Sequence, residues 1–272
     1  MAPPEATVHA PPLTRLLRRP DLIVGLCLIV ATALAWWWLW RNGTAMPMSV
    51  PPLAERAMAG MRRMQAPALS SSGYFIASFV MWSLMMIAMM LPSAAPMILL
   101  YARFAGRVPQ TATVNSMLFA MTYLALWTGF SAVASLLQMV LIAGGLVSGM
   151  TLRLNSEAAT GALLVCAGLY QLSALKRACL ATCRSPLSFM TRLWRPGAIG
   201  ALRLGLAHGG YCLGCCWALM LLLFAGGVMN IAWIVTLTAL VLLEKLAPLA
   251  LHRPVAIGLL GGGALFLARA MI

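Results

Sequence analysis

Between His208 and Cys216 the chain reads HGGYCLGCC, which places one imidazole and three thiols within nine positions of an apolar run. At about 100° per residue, with Gly205 at 0°, His208 falls near −60°, Cys212 near −20°, Cys215 near −80° and Cys216 near +20°. All four side chains share one helical face with Gly205 and Gly209. His208/Cys212 and Cys212/Cys215 stand at spacings where helical side chains touch. Thiolate favours Cu(I) and Zn(II), and imidazole suits both. The chemistry to expect is therefore soft-metal binding, with a thiol–disulfide centre at Cys212 and Cys215, a C-x-x-C pair near a helix start where thiols ionise more easily, as the alternative.

A second thiol pair lies in KRACLATCRSPL, where Cys179 and Cys183 are one helical turn apart and Pro186 is expected to end the turn. These two thiols can complete a copper site, or a structural four-thiolate zinc site. The remaining cysteines, Cys27 and Cys166, stand alone in apolar runs and read as buried packing residues. Thioethers form the third group. Met81, Met85 and Met89 make a stripe at i, i+4 and i+8, with Met86, Met90 and Met97 on the adjoining face. A single methionine in an apolar helix ordinarily fills gaps. Here the chain carries 20 Met against 8 Phe, so methionine is not standing in for general bulk. Pro92 and Pro96 follow this block and free backbone carbonyls that neighbours must satisfy, Ser93 being one candidate. Upstream, Met46, Met48, Met58, Met61 and Met64 occupy a polar segment whose amphipathic pattern suits a membrane surface.

Other polar groups in apolar runs are few. Glu244 and Lys245 sit near a span end, where snorkelling lowers the cost of charge. Glu244 either pairs with a loop arginine or serves a proton or metal. Asn230 reads as a helix cap, and Gln138 and Gln171 as interhelical hydrogen-bonders. Several classes are excluded. There is no C-x-x-C-H haem attachment and no P-loop. With three histidines in all, bis-histidine haem is not supported. No catalytic constellation emerges apart from the thiol pair.

The elements that must position these residues are membrane helices. The chain has 272 residues, 62% of them hydrophobic and 9% charged, with mean hydropathy +0.92. A soluble domain is roughly 25% charged. Apolar runs at 21–40, 75–101, 114–141, 158–175, 204–224, 228–247 and 254–271 predict an all-α polytopic transmembrane bundle of about seven spans. The first run also competes as a signal peptide, because ATALA offers small residues at cleavage spacing. A retained helix is preferred, since the run continues into Trp36, Trp37, Trp38 and Trp40, an interfacial aromatic belt. Two regions follow: 1–73, with tail, first helix and Met-containing segment, and 74–272, a six-helix core. The formal net charge of +14 does not indicate nucleic acid, because the basic residues cluster in short loops facing lipid headgroups. With the N-terminus inside, only Arg41, Arg56, Arg62, Arg63, Arg153 and Arg269 of the 19 basic residues fall outside. That bias predicts an N-in, C-out orientation. Glycines spaced at i, i+4, such as Gly205/Gly209, Gly210/Gly214 and Gly258/Gly262, allow close helix approach.

The stretches MWSLMMIAMMLPSAAPMILLY, LYQLSALKRACLATCRSPLSF and GGYCLGCCWALMLLLFAGGVMNIAWIVTLTALVLLEK resemble a bacterial family of predicted metal-binding integral membrane proteins, over roughly residues 75–247. The resemblance implies metal handling, with copper the usual assignment. It carries over to Met85, Met86, Met89, Met90, Pro92, Cys179, Cys183, Cys212, Cys215, Cys216 and Glu244. The combined expectation is a multi-pass protein of the bacterial cytoplasmic (inner) membrane that binds Cu(I), zinc being the other candidate. It would act in copper acquisition, transfer or delivery. Its partners would be membrane lipids and a metallochaperone or metalloenzyme of the same membrane. A membrane thiol-redox enzyme and a metal-free scaffold subunit are the alternatives.

Overall fold

The computed structural model describes residues 20–43, 72–106, 109–247 and 251–272. The N-terminal tail and the segment holding Met46, Met48, Met58, Met61 and Met64 lie outside the described residues. The described chain is helical, with one isolated bridge between Val147 and Leu154. The helices are α1 (Pro20–Gly43), α2 (Ser72–Ala105), α3 (Pro109–Ala143), α4 (Glu157–Gln171), α5 (Ala174–Arg184), α6 (Pro186–Leu193), α7 (Gly197–Leu221), α8 (Leu223–Gly226), α9 (Ile231–Leu246) and α10 (His252–Arg269).

Every apolar run expected to span is helical. Four stretches are long and apolar enough to cross a membrane by themselves: Pro20–Gly43, Ser72–Ala105, Thr111–Ala143 and Gly197–Gly226. The run at 158–175 falls on α4 and α5, which meet at a 62° bend and count as a fifth candidate if taken together. Helix α9 has 16 residues, roughly 24 Å at ~1.5 Å per residue, which is short for a ~30 Å hydrocarbon core. The protein is thus an all-α, multi-pass membrane protein with four to five candidate spans among the described residues.

Local chemistry sets the helix ends. Ser156, Ser173 and Asn230 cap α4, α5 and α9, each accepting a hydrogen bond from a backbone N–H in the first turn. Pro186 opens α6 rather than merely ending α5, since its missing N–H costs nothing at the first helical position. Within α2, Pro92 cannot donate to the carbonyl of Ala88. That carbonyl accepts instead from Trp36 Nε1 of α1, at 3.0 Å. Trp36 therefore faces inward, while Trp37 and Trp40 remain exposed.

Helices α1 and α3 pack along α2, and α7 packs along α3. Gly205 and Gly209 are on that α3–α7 seam: a Cβ on Gly205 would stand 2.6 Å from the Phe119 carbonyl oxygen. Helices α4 and α10 form a second close pair. There Gly161 and Gly263 oppose each other, and a Cβ on either would stand 2.9 Å from the other's carbonyl oxygen. Gly258, assigned to close packing from its spacing, has open space instead. Cys27 and Cys166 are exposed on the bundle's exterior, not buried. Acyl chains are as apolar as the protein core, so an isolated cysteine in an apolar run carries no signal for which it faces.

Candidate metal centre

Helix α7 runs unbroken from Gly197, so Cys212 lies about four turns inside it. The expectation that the Cys212/Cys215 pair sits near a helix start is therefore corrected. The helix begins directly after Pro196, seven residues before the expected start at 204. His208, Cys212, Cys215 and Cys216 are all buried. Cys215 Sγ donates to the Cys212 carbonyl at 3.1 Å and lies 3.2 Å from Cys216 Sγ.

The short helix α5 supplies the other thiols. It packs against α7, where Gly214 gives Cys179 its place: a Cβ on residue 214 would stand 2.8 Å from Cys179 Sγ. One turn on, Cys183 interacts with Cys215. The Tyr170 hydroxyl donates to the Gly214 carbonyl and anchors α4 to the same stretch of α7.

Cys212 belongs to a ring of polar contacts drawn from four helices. Lys245 Nζ of α9 donates to Cys212 Sγ at 2.9 Å and to Ser93 Oγ of α2, also at 2.9 Å. Ser93 Oγ in turn donates to the Met90 carbonyl at 2.8 Å. Tyr123 of α3 donates its hydroxyl to that same carbonyl at 3.1 Å, and its oxygen stands 3.1 Å from Cys212 Sγ. Ser93 thus binds the Met90 carbonyl and not one of the two, Ala88 and Pro92, that lose a donor to Pro92 and Pro96. Lys245 does not snorkel outward; its whole side chain is drawn into the bundle. Glu244, its neighbour, pairs with a lysine and not a loop arginine. Its carboxylate lies 2.6 Å from Lys176 Nζ, with both side chains buried, and accepts from Gln171 Nε2 at 3.1 Å. Arg184 Nε donates to the backbone carbonyl of Glu244 at 2.7 Å.

A cavity of about 160 Å³ opens beside this ring, lined by Ser93, Met97, Cys183, Arg184, His208 and Lys245, among others. Thioether, thiol and imidazole from α2, α5 and α7 thus face one space. The imidazole is held by aromatic rings, with centroids 5.5 Å from Tyr123, 5.8 Å from Phe189 and 6.0 Å from Phe119.

His208, Cys212, Cys215, Cys216 and Cys183 come together here, with Cys179 one turn earlier on the same face of α5, against Gly214. Met85, Met86, Met89 and Met90 are buried in the core of α2, and Met81 is partly buried. Helix α2 meets the thiol site through the Met90 carbonyl, Ser93 Oγ and the Met97 side chain. Among the described residues, no three His, Cys, Asp or Glu side chains stand assembled in ligand geometry. Sequence reasoning did not assign Tyr123, Ser93, Lys245 or Met97 to the site. Lys245 carried a signal, as a rare charge in a span; Tyr123 carried none, because tyrosine is common at membrane interfaces.

Fold and site together define a helical multi-pass membrane protein with a buried, sulfur-rich centre. The family model described as "PpoB2: Copper chaperone" matches residues 79–266. The chain belongs to that copper chaperone family. No curated protein and no solved structure matches it.

Proposed function

We propose that this protein binds Cu(I) at the α7 thiols and hands it to a metalloenzyme or second metallochaperone of the same membrane. Cys212, Cys215 and Cys216 form the tight site, with His208, Cys183 and Cys179 around it. The thioethers of Met81, Met85, Met86, Met89 and Met90 form weaker, exchangeable positions along α2. The observation that carries this reading is the burial of three thiols on one face of α7, with Cys183 of α5 brought to Cys215. Soft thiolates hold Cu(I), and uncharged thioethers let the ion move. Membership of a copper chaperone family supports copper over zinc. Copper analysis of anaerobically purified protein tests the reading. Wild type retains near-stoichiometric copper, and the triple variant Cys212→Ser, Cys215→Ser, Cys216→Ser loses it. Equal copper in both proteins, or zinc in place of copper, ends this version; a metal-free protein co-purifying with a fixed partner points to a scaffold role.

The redox alternative is less well supported. A thiol that attacks a substrate disulfide needs access and benefits from a helix N-terminus. Cys212 and Cys215 are buried, mid-helix, and have neither.

The orientation is proposed as N-in, C-out in the bacterial inner membrane, from the distribution of Lys and Arg. Arg177, Arg192 and Arg195, exposed around α5 and α6, would then meet anionic headgroups on the cytoplasmic side. A periplasm-dependent phosphatase fused after residue 150 is expected to be active, and one fused after residue 195 inactive. The reverse pattern inverts the topology.

A further inference from the structure

Among the described residues Lys245 is the one charged side chain hydrogen-bonded to a candidate ligand, and its surroundings are uncommon. It is buried in a membrane bundle, where an ionisable group is costly unless something compensates it. Among the described residues no carboxylate does so. Glu244, one position away, is already engaged by Lys176 and Gln171. The ammonium instead contacts Ser93 Oγ and Cys212 Sγ, both at 2.9 Å. Arg184 of α5 lines the same cavity as Lys245, so two cationic side chains face that space.

We propose that Lys245 is the counter-cation of the copper–thiolate complex and makes the site prefer a monovalent over a divalent ion. The proposal rests on the Cu(I) reading above. A Cu(I) ion held by two thiolates carries one net negative charge. That charge is as unwelcome in a low-dielectric interior as an isolated carboxylate. An ammonium in contact with one of the ligand sulfurs neutralises the whole. On the same thiols, a Zn(II) complex is one unit more positive and gains correspondingly less from Lys245. Ser93 holds the ammonium from its other side, and Ser93 is itself fixed through the Met90 carbonyl. Lys245 thus acts through Cys212 as a positioning and charge-setting residue, not as a ligand.

The test uses the full chain, purified in detergent and stripped of metal under anaerobic conditions. Cu(I) affinity is read by competition with a chromophoric Cu(I) chelator, and Zn(II) affinity with a zinc indicator. Lys245→Met is expected to weaken Cu(I) binding about 10- to 100-fold, the range that partners of metal ligands carry. Stoichiometry should hold, and Zn(II) affinity should fall less, so the preference for Cu(I) narrows. Lys245→Arg should restore most of the loss, and Lys245→Gln serves if the methionine variant does not fold. Wild-type Cu(I) affinity in the methionine and glutamine variants overturns the proposal. So does an equal loss of Cu(I) and Zn(II), which would mark a packing defect. A wild type that binds no Cu(I) at all overturns the underlying reading instead.

Discussion

Tyr123 and Ser93 tie a methionine-rich helix to a cysteine-bearing one without using a sulfur of the former. Both hydroxyls donate to the Met90 carbonyl, two residues before Pro92. The Tyr123 oxygen then lies against Cys212 Sγ. Hydrogen bonds inside membrane bundles average about 0.6 kcal/mol and reach ~1.7 kcal/mol. Tyr123→Phe should therefore destabilise the protein by about 1 kcal/mol, measured by denaturation in mixed micelles. The same variant should alter copper retention more than stability, because it frees Cys212 on one side. Unchanged copper retention in Tyr123→Phe would remove Tyr123 from the site. The contacts of Tyr123 do not follow from residue spacing, since Tyr123 and Cys212 are 89 positions apart.

Short elements do the positioning. Helix α5 has 11 residues and carries two thiols, and its first turn is held by two different means. Ser173 caps its start, while Lys176 in that turn pairs with Glu244 of α9. Removing one partner of a buried ion pair costs about 3–5 kcal/mol, because the other charge is left uncompensated. Glu244→Ala should thus lower stability by that amount and shift α5, and with it Cys183, away from α7. Loss of stability in thermal unfolding without any change in copper retention would separate the clamp from the site. Glycine sets the other contact of α5. Only a residue lacking a Cβ at position 214 lets Cys179 Sγ approach so closely. The Gly214→Ala variant should push α5 outward and weaken metal retention, an effect that metal analysis reads directly.

At the level of the whole molecule, ion binding and folding are linked. The site is built from α2, α3, α5, α7 and α9, so an ion bound there favours the assembled bundle over any loosened state. A ligand at a hundredfold excess over its Kd adds about 2.7 kcal/mol. Anaerobic Cu(I) loading should raise the unfolding temperature of wild type but not of the triple cysteine variant. Acidification should reverse the gain, since thiols must lose protons to bind and regain them as pH falls. A wild-type unfolding temperature indifferent to Cu(I) would place any bound copper outside the bundle. The basic ends of the helices add a second whole-molecule constraint, because they decide which side of the membrane the cavity beneath α5 and α6 faces.

Helical class, membrane character and the soft-ligand chemistry were readable from the chain alone. Each depends on composition or on spacing within one helix: His208, Cys212, Cys215 and Cys216 share a face because about 100° per residue puts them there. The number of spans was less legible, because hydropathy does not reveal that α4 and α5 bend by 62° or that α9 is short. Lipid and protein interiors are equally apolar, so the chain carried no mark to separate exposed Cys27 and Cys166 from buried Cys212. Contacts between helices needed three dimensions. Lys245 reaching Cys212, Cys183 meeting Cys215, Trp36 serving the carbonyl freed by Pro92, and Met97 joining the cavity are each set by how helices dock. Docking depends on the summed shape of whole faces, and no local pattern of residues encodes that sum.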